Sequence, residues 1–158
     1  MRVREIITEA KEQKSDTDWR TDDLPPRHAP CYDKTRPIRN DWTWRSASAV
    51  GENGREFVLF ANCAPKYNKW QAILVIKSGA KDGSVVARYE YHGDHPGIHV
   101  HSSCETSGIE LGSASLNNLN RFPNAKNHHR RVEPLTANQF WEQAKAFFRV
   151  SEQKGSLL

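Results

Sequence analysis

The chain has 158 residues, 37% of them apolar and 27% charged, and a formal net charge of +4. That length suits one domain with a sizeable core, and the composition excludes a wholly disordered chain. No run of about 18 apolar residues offers a membrane span, and residues 1–10 are too charged for a secretory leader, so a cytoplasmic protein is expected. Cys31, Cys63 and Cys104 form no Cys-x-x-Cys pair, which argues against a thiolate zinc knuckle and for reduced thiols.

Val3, Ile6, Ile7 and Ala10 recur at helical spacing, and charged residues fill the other faces, predicting a short amphipathic helix over about 2–13. Residues 14–41 hold Pro25, Pro26, Pro30 and Pro37 and few aliphatic side chains. They read as an irregular arm, able to wrap the domain or engage a protein partner. Residues 1–41 therefore form an N-terminal helix and arm, 42–150 a single domain, and 151–158 a tail.

Within the domain, Trp42, Trp44 and Ser46 alternate with polar neighbours, Glu52-Asn53-Gly54 marks a turn, and Phe57 to Ala61 is a strand. Trp70 to Lys77 is apolar on both faces, as in a central strand covered on each side. Lys81-Asp82-Gly83 turns the chain into a strand over Val85 to His92. Gly93 to Gly97 turns it again into Ile98 to Ser102. Residues 104–134 are rich in Gly, Ser and Asn and read as a long loop, with a short strand near Ile109 to Leu111. Thr136 and Gln139 form a capping-box pattern ahead of Phe140, Trp141, Ala144, Phe147 and Phe148, predicting a helix over about 137–150. The expected fold class is α+β: an antiparallel sheet of about five strands, a C-terminal helix packed on one face and a short N-terminal helix.

Charge and histidine are unevenly placed. Residues 1–60 carry eleven basic and eleven acidic side chains, so residues 61–158 hold the whole excess. Arg121, Lys126, Arg130 and Arg131 cluster with no acid between them, which suits a phosphate-bearing partner. Every histidine except His28 lies between His92 and His129. Alternation puts Val85, Ala87, Tyr89 and Tyr91 on one strand face and Arg88, Glu90 and His92 on the other. A four-residue loop, Gly93 to Pro96, would pair His92 with Gly97. Tyr91 would then oppose Ile98, Glu90 oppose His99, and Arg88 oppose His101. One face would carry Arg88, Glu90, His92, His99 and His101, with His128, His129, Arg130 and Arg131 able to fold over it.

Three uses of this face are open. It can be a solvated polar surface. It can perform metal-independent acid–base chemistry on a phosphodiester, with Glu90, His99, His101 and secondarily His92 in proton transfer. Arg88, Arg130, Arg131, His128 and His129 would then hold phosphate. It can also bind a divalent metal such as Zn, Fe or Ni through His99, His101 and Glu105. The second use is the expectation taken forward: a small ribonuclease-like protein that binds RNA and requires no cofactor. A non-enzymatic module that binds nucleic acid or protein is the further alternative.

Two resemblances accompany these residues. Gly93, His99-Val100-His101, Glu105 and Gly112 resemble the first cupin motif in spacing, and Pro123, Ala125 and His128 echo the second. That resemblance implies a β-barrel in which His99, His101 and Glu105 bind a divalent metal. The text Arg88-Tyr89-Glu90-Tyr91-His92 ahead of a histidine cluster is similar to small His-rich bacterial toxin proteins. It implies nucleic-acid chemistry, and the ribonuclease-like protein expected above would be of a bacterial toxin or phage-defence type.

Overall fold

The computed structural model describes residues 3–25, 28, 42–64, 66, 69–79, 83–92, 95–102 and 136–152. The first helix, α1, spans Val3–Thr8, shorter than the apolar periodicity predicts. Lys11 ends it. Its fully buried ammonium donates to the carbonyls of Ile6 (2.6 Å), Glu9 (2.8 Å) and Phe148 (2.9 Å). These are the carbonyls that helix ends leave without intrahelical donors. Glu9 sits in the turn after α1, accepting from Arg55 Nη2 (2.7 Å) and from the Asn53 backbone N–H (3.1 Å).

Residues Lys11–Asp16 then form a strand, β1, where the sequence predicted the end of a helix and the start of an irregular arm. β1 pairs antiparallel with β2 (Thr43–Gly51). β3 (Glu56–Ala64), β4 (Lys69–Lys77), β5 (Gly83–His92) and β6 (His95–Ser102) follow as an antiparallel meander. A second helix, α2 (Ala137–Phe148), leads into β7 (Val150–Glu152), which runs parallel to β1. The sheet order is β6-β5-β4-β3-β2-β1-β7. The fold class is the expected α+β, with more strands than the sequence suggested. The described strands form one open sheet, whereas the cupin resemblance implies a barrel.

α2 is the amphipathic element the sequence promised. Thr136 caps it by accepting the Gln139 backbone N–H at 3.1 Å, and Arg149 ends it in the left-handed region. Phe140, Trp141, Ala144 and Phe148 are fully buried on the sheet face built by Phe57, Leu59, Ala61, Trp70, Ala72, Leu74, Tyr89 and Tyr91. Tyr89 lies 5.2 Å from Phe147 and 5.8 Å from Phe140, between ring centres, so the two strand tyrosines are core residues. Ile6 and Ile7 bring α1 into the same core.

Arg45 ties the β1–β2 end of the sheet to α2. Its guanidinium donates to both Asp16 carboxylate oxygens (2.8 and 2.7 Å) and lies 5.0 Å from the Trp141 ring centre. Burial alone would raise the Asp16 carboxyl, but the Arg45 guanidinium more than reverses this and holds it below the usual carboxylate range.

The other sheet face is smaller and more mixed. Trp44, Val58, Phe60 and Val75 form its apolar cluster, joined by Ile73 and Val85. β4 is thus apolar on both faces, as predicted, apart from Gln71. Val85 is a correction: alternation put it with Ala87 and Tyr89. The register shifts where Leu74 pairs with Ala87 and Val75 with Val85, leaving Val86 as the extra residue of a bulge. Val86 and Ala87 both join the helix-side core, while Val85 lies on the opposite face. Among the described residues, no helix is long and apolar enough to cross a membrane.

Candidate functional site

The site is built from three neighbouring strands on the face opposite α2. Its geometry follows from register. Glu90 pairs with His99, Arg88 with His101 and Tyr91 with Ile98, each as the sequence predicted. Because Tyr89, Tyr91 and Val100 are buried against the helices, Arg88 and Glu90 are turned to the other face. The alternation of an ordinary half-buried strand is enough to produce this arrangement.

The hairpin end differs from the prediction. His92 pairs with His95, not with Gly97, and the register shifts between Tyr91 and His92. The connection is therefore two residues rather than four, and β6 begins earlier. His92 stays next to β6, but its ladder partner is another histidine. For His92, His99 and His101 the backbone register is the observation that places them.

Following the pairings across the sheet reveals a transverse row that the sequence reading missed. Trp44 pairs with Asn62, Asn62 with Gln71, Gln71 with Glu90, and Glu90 with His99. A parallel row runs Ser46, Phe60, Ile73, Arg88 and His101. Directly opposed residues have Cβ atoms about 4.5–5.5 Å apart, so each row is a line of neighbours. The signal for the first row was present. Asn62 and Gln71 are the polar interruptions in two otherwise apolar strands.

Glu90 is 6% exposed. One oxygen, Oε1, accepts from Gln71 Nε2 at 2.9 Å and lies 3.5 Å from Arg88 Nη1. The Arg88 side chain is 46% exposed, so its guanidinium touches both the buried carboxylate and the surface. Lys69, two residues before Gln71 on β4, is exposed and adds a second cation to the neighbourhood. Asn62 is 2% exposed, and its Oδ1 accepts no hydrogen bond. At the far end of the row, Trp44 is fully buried and donates its indole N–H to the Asp22 carbonyl at 2.7 Å. Arg20 lies over its ring at 5.2 Å and His28 at 5.6 Å. Trp44 closes the row as a packed residue, not as a free stacking platform.

Glu105, His128, His129, Arg130 and Arg131, the remaining predicted site residues, lie outside the described residues. Among the described residues, no group of three His, Cys, Asp or Glu forms a metal-binding set. Cys63 is fully buried on the helix side of β3, and burial pushes its thiol far above the ordinary thiol range. It is an inert packing residue. Comparison with known families, curated proteins and solved structures finds no match to this chain.

Proposed function

We propose that the chain cleaves RNA by metal-independent acid–base chemistry on the β4–β5–β6 face. The observation that carries this reading is the cross-strand register that sets His99 opposite Glu90 and His101 opposite Arg88. Transesterification of RNA needs an acceptor for the 2′-hydroxyl proton, a donor for the departing 5′-oxygen and cations for the phosphate charge. Two imidazoles supply acceptor and donor when one ring is neutral and the other protonated. In this scheme one of His99 and His101 takes the 2′-hydroxyl proton as O2′ attacks phosphorus. The other protonates the 5′-oxygen as its bond to phosphorus breaks. The products are a 2′,3′-cyclic phosphate and a 5′-hydroxyl. The half-exposed Arg88 and the exposed Lys69 neutralise the phosphate.

The test is cleavage of a structured and an unstructured RNA in EDTA by the wild type and by His101→Ala. Cleavage that survives chelation and is lost in the variant supports the proposal. Cleavage that depends on added Zn, Fe or Ni transfers the chemistry to a metal site. Binding of RNA without turnover, unchanged by His99→Ala and His101→Ala, reduces the protein to a binding module.

A further inference from the structure

Glu90 poses a problem for a direct part in proton transfer. A group that takes a proton from substrate must reach it within about 2.6–3.2 Å, directly or through one water. The Glu90 side chain is only 8% exposed, and its Oε1 already lies against Gln71 and Arg88. Its neighbour across the ladder on β6 is His99. A carboxylate next to an imidazole fixes the ring's tautomer and orientation and stabilises the imidazolium that forms when the ring accepts a proton.

The row behind Glu90 has the composition of a support built for that purpose. Gln71 holds one carboxylate oxygen from β4. Asn62, one ladder position further, keeps a buried acceptor without a donor. An unsatisfied buried amide oxygen is costly, and apolar residues would suit this strip between Trp44, Phe60 and Ile73 at least as well for stability. Polar groups kept in such a strip point to a use other than folding.

Building on the nuclease reading above, we infer that Gln71 and Glu90 are positioning residues: Gln71 holds Glu90, and Glu90 acts through His99 rather than on the substrate. The side chains on the carboxylate are Arg88 along its own strand and Gln71 across on β4, and the residue at its ladder position on β6 is His99. Lys69 lies further along β4. Arg88 is shared between carboxylate and substrate phosphate, which links the support to the reacting group.

The experiment compares wild type, Glu90→Gln and Gln71→Leu by two readouts. The first is the NMR titration of the His99 ring, assigned by its loss in His99→Ala. The second is the pH profile of RNA cleavage in EDTA. Glu90→Gln removes the anion that favours the imidazolium, so the His99 ring should titrate at lower pH than in the wild type, and the limb of the profile that His99 sets (acid if it is the base, alkaline if it is the acid) should move the same way. Removing the outer partner of a metal-bound histidine typically costs about 10–100-fold, and a metal-free histidine that loses its orienting carboxylate should lower kcat by about the same factor, with KM within about twofold. Gln71→Leu should move both readouts in the same direction by less.

A His99 titration identical in Glu90→Gln and wild type overturns the inference. So does a loss of cooperative unfolding in both variants, which would make the row a structural element. If Glu90→Gln alone fails to fold, Gln71→Leu decides by the same readouts. A wild type that cleaves no RNA defeats the nuclease reading, and the ring titration still decides whether Glu90 is coupled to His99.

Discussion

Lys11 should make the stability of this protein rise with pH where that of most proteins falls. Its ammonium is fully buried among the carbonyls of Ile6, Ile7, Glu9 and Phe148. Burial, only partly offset by the nearby Glu9 carboxylate, pushes it down from the ordinary 10.5 to about 8. Between those two values the unfolded chain keeps the proton and the folded chain has released it. Stability rises wherever the unfolded state binds more protons, so raising the pH through this window favours the fold. Each pKa unit corresponds to 1.36 kcal/mol, so the Lys11 contribution across the window is about 3 kcal/mol. The Cys63 thiol works in the opposite direction, because the unfolded chain ionises it above its ordinary 9.0 while the folded chain keeps it protonated. Comparing wild type with Lys11→Met cancels that term. Urea unfolding at pH 7, 8, 9, 10 and 11 should show the stability of the wild type climbing relative to the variant by roughly that amount. Parallel curves across the window would refute the reasoning, since they would mean that Lys11 binds its proton equally in both states.

Three further predictions concern the frame that holds the site. A Cβ added at Gly51 would collide with Glu9 Oε1 and stand 3.0 Å from Phe57 Cε2, so Gly51→Ala should cost about 1–3 kcal/mol in urea unfolding. Arg149 is exposed and sits at φ 55° and ψ 40° after α2, so Arg149→Gly should raise stability by about 0.5–1 kcal/mol in the same assay. The Asp16 carboxyl is held low by Arg45, so its contribution is present above the ordinary 3.8 and lost as pH falls through the lower folded value. Asp16→Asn should therefore destabilise the protein at pH 7, and the gap to wild type should close in acid below about pH 4, as followed by circular dichroism melts.

The parts of the fold that were legible in the sequence are those where one physical rule acts alone. α2 was readable because a capping threonine precedes a single apolar stripe. The pairing of Glu90 with His99 and Arg88 with His101 was readable because Tyr89, Tyr91, Ile98 and Val100 alternate with polar neighbours and one face had to be buried. β1 was not readable. Lys11-Glu12-Gln13-Lys14-Ser15-Asp16 has no apolar alternation, and its place comes from pairing with β2 and β7 and from the burial of Lys11. The Val86 bulge was hidden as well, because Val85, Val86 and Ala87 are all apolar and any of them can face either core. The hairpin at His92 was misjudged by two residues because Gly93 to Gly97 contains turn residues throughout. Gln71 and Asn62 went unnoticed for a different reason. A single polar residue in an apolar strand looks like noise until register shows that two of them lie side by side and lead to Glu90.

The proposal to be tested is that His99 and His101, set opposite Glu90 and Arg88 by the strand register, cleave RNA without a metal. The most direct measurement is end-group analysis of a short defined RNA incubated with the wild-type protein in EDTA, beside the same oligonucleotide carrying a 2′-deoxy sugar at the cleavage position. The account predicts a 2′,3′-cyclic phosphate and a 5′-hydroxyl from the RNA and no cut at the deoxy position. Cleavage of the deoxy substrate, or ends that appear only when a divalent metal is restored, would contradict it.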